Sequence, residues 1–212
     1  MKPTIYLIGV GYYTEVIIEL ARDCGYQVAG LYHYNEDRVG EIVLGVKIID
    51  TTKALFSGNI KGKKFGVSVG ENNTRESISK TIRSLGGETP NLIHPKAVLS
   101  PSVEIGVGCF IHAMAILHTA TKIGDDCIVS SGSMLGHHAS LGNVCFMAPF
   151  SLVGAYSTIG ERVLFGLNSL ILPNKLTLGN DCIVGAKANV TKSFDAKTTL
   201  IGSPAKPLKS KK

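Results

Sequence analysis

The sequence predicts a small α/β domain followed by a parallel β-helix, and three observations carry that reading. From Ile93 onward an aliphatic side chain recurs at every sixth position. Near the start, a glycine-bearing turn joins a short apolar run to an amphipathic stretch. Between these two features, strand-like and helix-like runs alternate.

Residues 4–8 (TIYLI) read as a buried strand, and GVGYYTEVIIELARDCGY as a glycine turn opening an amphipathic helix. VAGLY (residues 28–32) makes a second strand and KFGVSV (residues 64–69) a third, with GENNTRESISKTIRSLGG a turn and a second helix. A βαβ unit followed by βα implies a small parallel sheet of the doubly wound kind. Gly9, Gly11 and Thr14 form a GxGxxT variant of the dinucleotide fingerprint, set correctly between strand and helix. Glycines there let backbone approach a phosphate at a helix N-terminus, and a tight turn without ligand is the alternative. The second strand runs into YHYNED, with no acid at the position expected to hold a dinucleotide ribose. About ninety residues give only half of a full dinucleotide fold, so a mononucleotide fits better.

The hexad anchors are Ile93, Leu99, Ile105, Ile111, Leu117, Ile123, Val129, Leu135, Leu141, Met147, Val153, Ile159, Phe165 and Ile171. After one inserted residue the register resumes at Leu178, Val184 and Val190. A period of six matches neither a helix of period 3.6 nor alternating strands joined by irregular loops. Three hexads make an 18-residue coil, so Cys109, Cys127 and Cys145, spaced by 18, stack one above another. Together with Cys182 they occupy the small inward position four residues after an anchor, where a thiol behaves as a small hydrophobe.

Composition excludes several classes. Hydrophobic content is 44 % and no apolar run approaches the roughly 18–20 residues of a membrane span. The N-terminal apolar run lacks a small-residue cleavage site and reads as a first strand, so the expected location is the cytoplasm. The 5 cysteines are odd in number and none forms CxxC, as expected of reduced thiols. The net charge of +6 comes partly from the tail KPLKSKK and forms no basic stripe with interleaved aromatics, so neither nucleic acid nor membrane insertion is expected.

SMLGHHASLG (residues 133–142) holds two adjacent histidines, and imidazole is the side chain that exchanges a proton near neutral pH. His137 lies two residues after the inward anchor Leu135, which puts it on a corner of the prism facing out. Adding one coil to His118 gives Gly136, so His118 lies one layer from the pair. His94 and His112 directly follow anchors and read as turn contacts.

The hexad half, residues 93–192, resembles the hexapeptide-repeat acyltransferases, whose solenoid is a left-handed parallel β-helix. Both halves together resemble the PglD-type sugar-nucleotide N-acetyltransferases and the related NeuD sialic-acid O-acetyltransferases. The matching segments are GVGYYTEV, VGENNTR, LIHPKAVLSPS, GLNSLILPN, VGAKANVTKSF and GSPAK. The resemblance implies a Rossmann-like sugar-nucleotide domain over residues 1–90 and a left-handed β-helix domain with a C-terminal tail over residues 91–212.

By that resemblance Gly9, Gly11, Gly70, Asn72, Asn73 and Arg75 contact the nucleotide and its phosphates, and Tyr12 and His118 belong to the substrate side. His33 and Tyr34 also stand there, where the family has a pair of acids at the end of the second strand. His137 falls at the position of the general base, and His138 replaces the acid of the family's HE or HD pair. Acetyl-CoA is the implied co-substrate, lying between neighbouring prisms of a homotrimer. Gly154 and Ala155 would sit near its thioester, offering a backbone N–H to the oxyanion. Gly185, Ala186, Lys187, Gly202, Pro204 and Lys206 would meet the rest, with the lysines toward its phosphates.

The implied reaction is N-acetylation of a nucleotide-linked amino-deoxy sugar for a surface glycan. A sugar O-acetyltransferase is the nearest alternative, and a sugar-nucleotide-binding protein without the reaction is another. A zinc carbonic anhydrase on the same β-helix would need three converging histidines, and His112, His118 and His137 lack that spacing, so no metal is expected.

Overall fold

The computed structural model describes residues 2–208, so the last four residues of the basic tail lie outside the described part. The chain divides into two compact units, Met1–Pro95 and Lys96–Lys212.

In the first unit, strands β1 (Thr4–Ile8), β2 (Gln27–His33), β3 (Ile42–Val43), β4 (Val46–Thr51) and β5 (Phe65–Val67) form one sheet in the order β3-β4-β2-β1-β5. All neighbours are parallel except β3 and β4, which form an antiparallel hairpin. Helices α1 (Tyr12–Asp23), α2 (Thr52–Ser57) and α3 (Asn72–Ser84) complete it. The core is aliphatic and aromatic, with Ile5, Leu7, Ile17, Leu31, Ile48 and Phe65 fully buried. Because β2 and β5 flank β1 on opposite sides, the chain leaves β1 in one direction and returns in the other. The crevice at the carboxyl ends of these strands is the place where open α/β sheets bind ligands.

Three elements go beyond the sequence reading, namely β3, β4 and α2. Their hairpin turn is Leu44-Gly45, with φ of 46° and 78°. Two consecutive left-handed residues make the type of turn that follows strand twist, but leucine is not the residue that signals it. Helix α2 is capped by Thr51, whose hydroxyl accepts the Ala54 N–H at 3.1 Å.

From Val98 to Val190 the second unit is a prism of two-residue strands. Each pairs in parallel with the strand one coil on, as Ile116 with Met134 and Lys122 with Ser140. Across the inserted residue the spacing widens, so that Thr158 pairs with Thr177. The anchors from Ile111 to Val190 are buried, whereas Leu99 and Ile105 in the first coil are half-buried. The thiols of Cys109, Cys127 and Cys145 each lie 3.1 Å from a glycine carbonyl, of Gly124, Gly142 and Gly160. Burial pushes the Cys127 thiol well above its ordinary range, so it stays protonated and inert.

From Gly108 onward the coils turn at corners whose second residue has left-handed φ, including Met114, Ala120, Asp126, His138, Val144, Phe150 and Tyr156. Residues other than glycine adopt this region at a cost. Each gains in return a ladder bond to the preceding coil, as His138 N–H to Thr119 O at 2.9 Å and Tyr156 N–H to His137 O at 3.1 Å. Along another corner Asp125, Asn143, Glu161 and Asn180 form a polar ladder that bonds successive coils. Among the described residues no helix is long and apolar enough to cross a membrane, and no three His, Cys, Asp or Glu side chains come together to hold a metal ion.

Candidate active site

A cavity of about 650 Å³ opens at the carboxyl ends of β1, β2 and β5. Gly9, Gly11, Tyr12, His33, Tyr34 and Gly70 line it. The two glycines differ in what they do. Gly9 has φ of 94° and a Cβ there would lie 2.5 Å from Val69 Cγ2, so the turn itself requires it. Gly11 has extended backbone and nothing within 4 Å of a Cβ, so the chain's own packing does not demand glycine; the space is open to a ligand. Between them the turn is pinned by Thr14, fully buried, whose hydroxyl accepts the Gly11 N–H at 2.9 Å and donates to Gly9 O at 3.0 Å. Threonine in the third fingerprint position is thus a brace for the loop.

At the cavity mouth Tyr12 and Tyr34 are exposed at 102 % and 83 %. His33 is buried beside Tyr34, with ring centroids 4.3 Å apart. The Asn35 N–H donates to His33 Nδ1 at 3.1 Å. Residues that the sequence reading missed also line the cavity: Thr52 and Phe56 from α2, Ser68, and Thr74 and Ile78 from α3. The helical spacing of Thr74 and Ile78 was a usable signal, whereas α2 had none.

Asn72, Asn73 and Arg75 are not among the residues that line the cavity. Arg75 is 1 % exposed. Its guanidinium donates to Val69 O at 3.1 Å, Gly70 O at 3.0 Å and Asn72 Oδ1 at 2.8 Å. A fork directed at its own loop shapes the rim from beneath. Asn73 donates through its backbone and side chain to Glu71 Oε1, and Glu71 also caps the Thr74 N–H at 2.7 Å. Hydrogen bonds, first from Thr74 and then from the Asn73 and Thr74 amides, hold the Glu71 carboxyl below the usual range. The start of α3 therefore carries its own anion.

On the β-helix, His137 and His138 are both exposed at one corner. Their Nδ1 atoms lie 3.2 Å apart and their rings are nearly perpendicular at 88°. Tyr156, one coil later, stacks on His138 with centroids 4.9 Å apart and planes 17° apart, and stands at 89° to His137. The sequence reading missed Tyr156, although adding one coil of 18 to His138 reaches it. His118 is exposed on the preceding coil, and no hydrogen bond or ring contact joins its side chain to this trio among the described residues. His94 instead pairs with Asp23, Nε2 to Oδ2 at 3.2 Å, and His112 is buried.

Gly154 N–H donates to Ile171 O at 2.9 Å, so it is engaged in the coil ladder and offers nothing to an oxyanion. Its lack of a side chain is explained by stacking, because a Cβ would meet Pro173 backbone. The Ala155 N–H enters no hydrogen bond among the described residues. Gly185 likewise donates to Leu200 O and Lys187 to Leu167 O through their backbones, while the Ala186 and Lys187 side chains are exposed. Near the end, Thr199–Ile201 pairs antiparallel with Lys206–Pro207, and Gly202, Pro204 and Lys206 line a cavity of about 530 Å³ there.

The family model for the PglD N-terminal domain matches residues 4–82, and that for the hexapeptide repeat of succinyl-transferase matches residues 102–137 and 156–192. Among solved structures, a histidine-to-asparagine mutant of perosamine N-acetyltransferase from Caulobacter crescentus, in complex with CoA and GDP-perosamine, is 32 % identical to this chain. It superposes with a TM-score of 0.91 over 98 % of this chain and 97 % of that one. The chain belongs to the PglD-type sugar acetyltransferases. The prism of this PglD-type enzyme is accordingly a left-handed β-helix. The acetyltransferase domain of PglB from Neisseria gonorrhoeae, in complex with acetyl coenzyme A, is 29 % identical with a TM-score of 0.89, covering 98 % of this chain and 100 % of that one. WeeI from Acinetobacter baumannii shares the fold at 21 % identity and a TM-score of 0.86, over 97 % of this chain and 99 % of that one. An uncharacterized protein of Acanthamoeba polyphaga mimivirus is 31 % identical over 107 residues, which is 50 % of this PglD-type chain; the match spans 21 % of that protein's length.

Proposed function

We propose that the protein transfers an acetyl group from acetyl-CoA to the amino group of a nucleotide-linked amino-deoxy sugar, with His137 as general base. The observation that carries this reading is the corner itself. An exposed imidazole has one nitrogen tied to a neighbouring ring and the other left for a substrate. The perosamine N-acetyltransferase structure, with CoA and GDP-perosamine, supports the substrate class.

Acetyl transfer requires a neutral amine, a held thioester and a donor for the developing oxyanion. With His137 Nδ1–H donating to His138 Nδ1, the His137 Nε2 lone pair takes the amine proton as the amine nitrogen bonds to the acetyl carbon. The Ala155 N–H supports the oxyanion. When the carbon–sulfur bond breaks, the proton on Nε2 goes to the departing thiolate, which restores the base. Acetyl-CoA supplies the activated acyl group, and Gly202, Pro204 and Lys206, with Ala186 and Lys187, are the residues that fit its nucleotide end. The cavity around Gly9 and Gly11 holds the sugar nucleotide, its diphosphate at the start of α1.

We infer a homotrimer. Met114, Phe150 and Leu167 are exposed at 63 %, 59 % and 54 % along one corner of the prism, an apolar column suited to a second copy of the chain. The five free cysteines fit a reducing compartment, in keeping with the cytoplasm.

The test is thiol release from acetyl-CoA with a panel of nucleotide-linked amino-sugars, headed by a GDP-linked one and including hydroxyl-only sugars. Turnover with amino-sugars alone supports N-acetylation, turnover with hydroxyl sugars would make it an O-acetyltransferase, and turnover with none would leave a binding protein.

A further inference from the structure

We propose that Tyr156 is a positioning residue that lets a neutral imidazole, His138, do the orienting work assigned to a carboxylate in the HE or HD pair. The proposal rests on the reading of His137 as the base.

A carboxylate and an imidazole accept a hydrogen bond in different ways. A carboxylate has two oxygens and about four lone-pair positions, so it serves a donor over a wide range of rotations. Neutral imidazole has one lone pair, lying in the ring plane. An exposed His138 free to rotate would lose the 3.2 Å contact with His137 Nδ1 in most of its rotamers. His138 in place of an acid therefore needs something that fixes its ring plane.

The β-helix provides this through its own repeat. His138 and Tyr156 are one coil apart and share the same corner conformation, with φ of 59° and 61°. Strands in adjacent coils lie about 4.8 Å apart, close to the spacing at which flat rings stack. The rings of His138 and Tyr156 do so, with centroids 4.9 Å apart and planes 17° apart. His137 stands perpendicular to both, at 88° and 89°, so its Nδ1 meets the edge of the His138 ring and not its face. One proton lies between the two Nδ1 atoms. With His138 in the Nε2–H tautomer it accepts that proton's hydrogen bond, and His137 presents Nε2 to the amine.

Steady-state kinetics on a double-mutant cycle test this. Tyr156→Ala is expected to lower kcat by about 10- to 100-fold, by analogy with the loss when hydrogen-bond partners behind a metal-bound imidazole are removed. KM for both substrates should stay within about threefold, the outcome expected of a residue that acts through His138. Tyr156→Phe keeps the flat face and should retain activity, whereas Tyr156→Leu, which fills the corner without a ring plane, should behave as alanine. In a His138→Ala background Tyr156→Ala should cost nothing further. His138→Asp, tolerable where aspartate readily adopts left-handed φ, should recover activity relative to His138→Ala and make Tyr156→Ala silent.

Losses that add in the double mutant, an effect on KM in place of kcat, or no recovery with His138→Asp would overturn the proposal. Wild-type activity in His137→Ala would instead overturn the reading on which it rests.

Discussion

At the scale of single residues, the proposed reaction rests on two side chains whose neighbours define their roles. His137→Ala is expected to reduce kcat by roughly 10²- to 10⁴-fold, the usual contribution of a positioned general base, while the elution volume of the assembly stays unchanged. His138→Ala should cost less, since it removes only the partner of Nδ1; the reverse order would mean that the bases are assigned the wrong way round. Arg75 belongs to a different class. Its guanidinium is bonded to Val69 O, Gly70 O and Asn72 Oδ1, so Arg75→Ala removes these bonds together with a fully buried side chain and should destabilise by about 1–3 kcal/mol in a thermal melt. Lysine lacks the planar fork and should not restore it. The sequence made Arg75 look like an anion ligand because its residue type and the VGENNTR loop are suited to one. Burial, which only the fold decides, turned the fork inward.

At the scale of elements, the β1–α1 turn separates structural from binding glycine. Gly9→Ala forces φ of 94° and a 2.5 Å contact with Val69 on a side chain, so it should lower the melting temperature clearly. Gly11→Ala meets nothing of the protein and should melt closer to wild type, yet its methyl enters the open space and should weaken nucleotide binding measured by calorimetry. Equal destabilisation by both would remove the argument for a ligand at Gly11. The fingerprint spacing was legible because it is local. The β3–β4 hairpin was not, since Leu44-Gly45 carries no Asn-Gly signal and β4 (VKIIDT) mixes polar residues into a strand that is buried only in part. With it went α2, and so the Thr52 and Phe56 wall of the cavity.

At the scale of the whole molecule, the trimer inferred from the apolar corner gives a simple expectation. Light scattering should report three copies, and Phe150→Glu should shift the mass toward monomer by burying charge in the contact. Acid should weaken the fold for a separate reason. Asp181 is held below the usual carboxylate range by its hydrogen bonds to Arg162, and Glu71 by those of its helix cap. A depressed folded value means that the stability is present above the unfolded value and is lost as pH falls through the folded one, so melting temperature should drop below about pH 4. The hexad period by itself determined the coil, the inward thiols and the outward corner of His137 and His138, because a repeat of six sets the direction of each side chain relative to its own backbone. Tertiary structure alone decided what those side chains meet. Ring planes, the perpendicular set of His137 against His138 and Tyr156, and the inward turn of Arg75 depend on segments brought together across coils and loops, and direction along the chain carries no information about the partner on the far side of a contact.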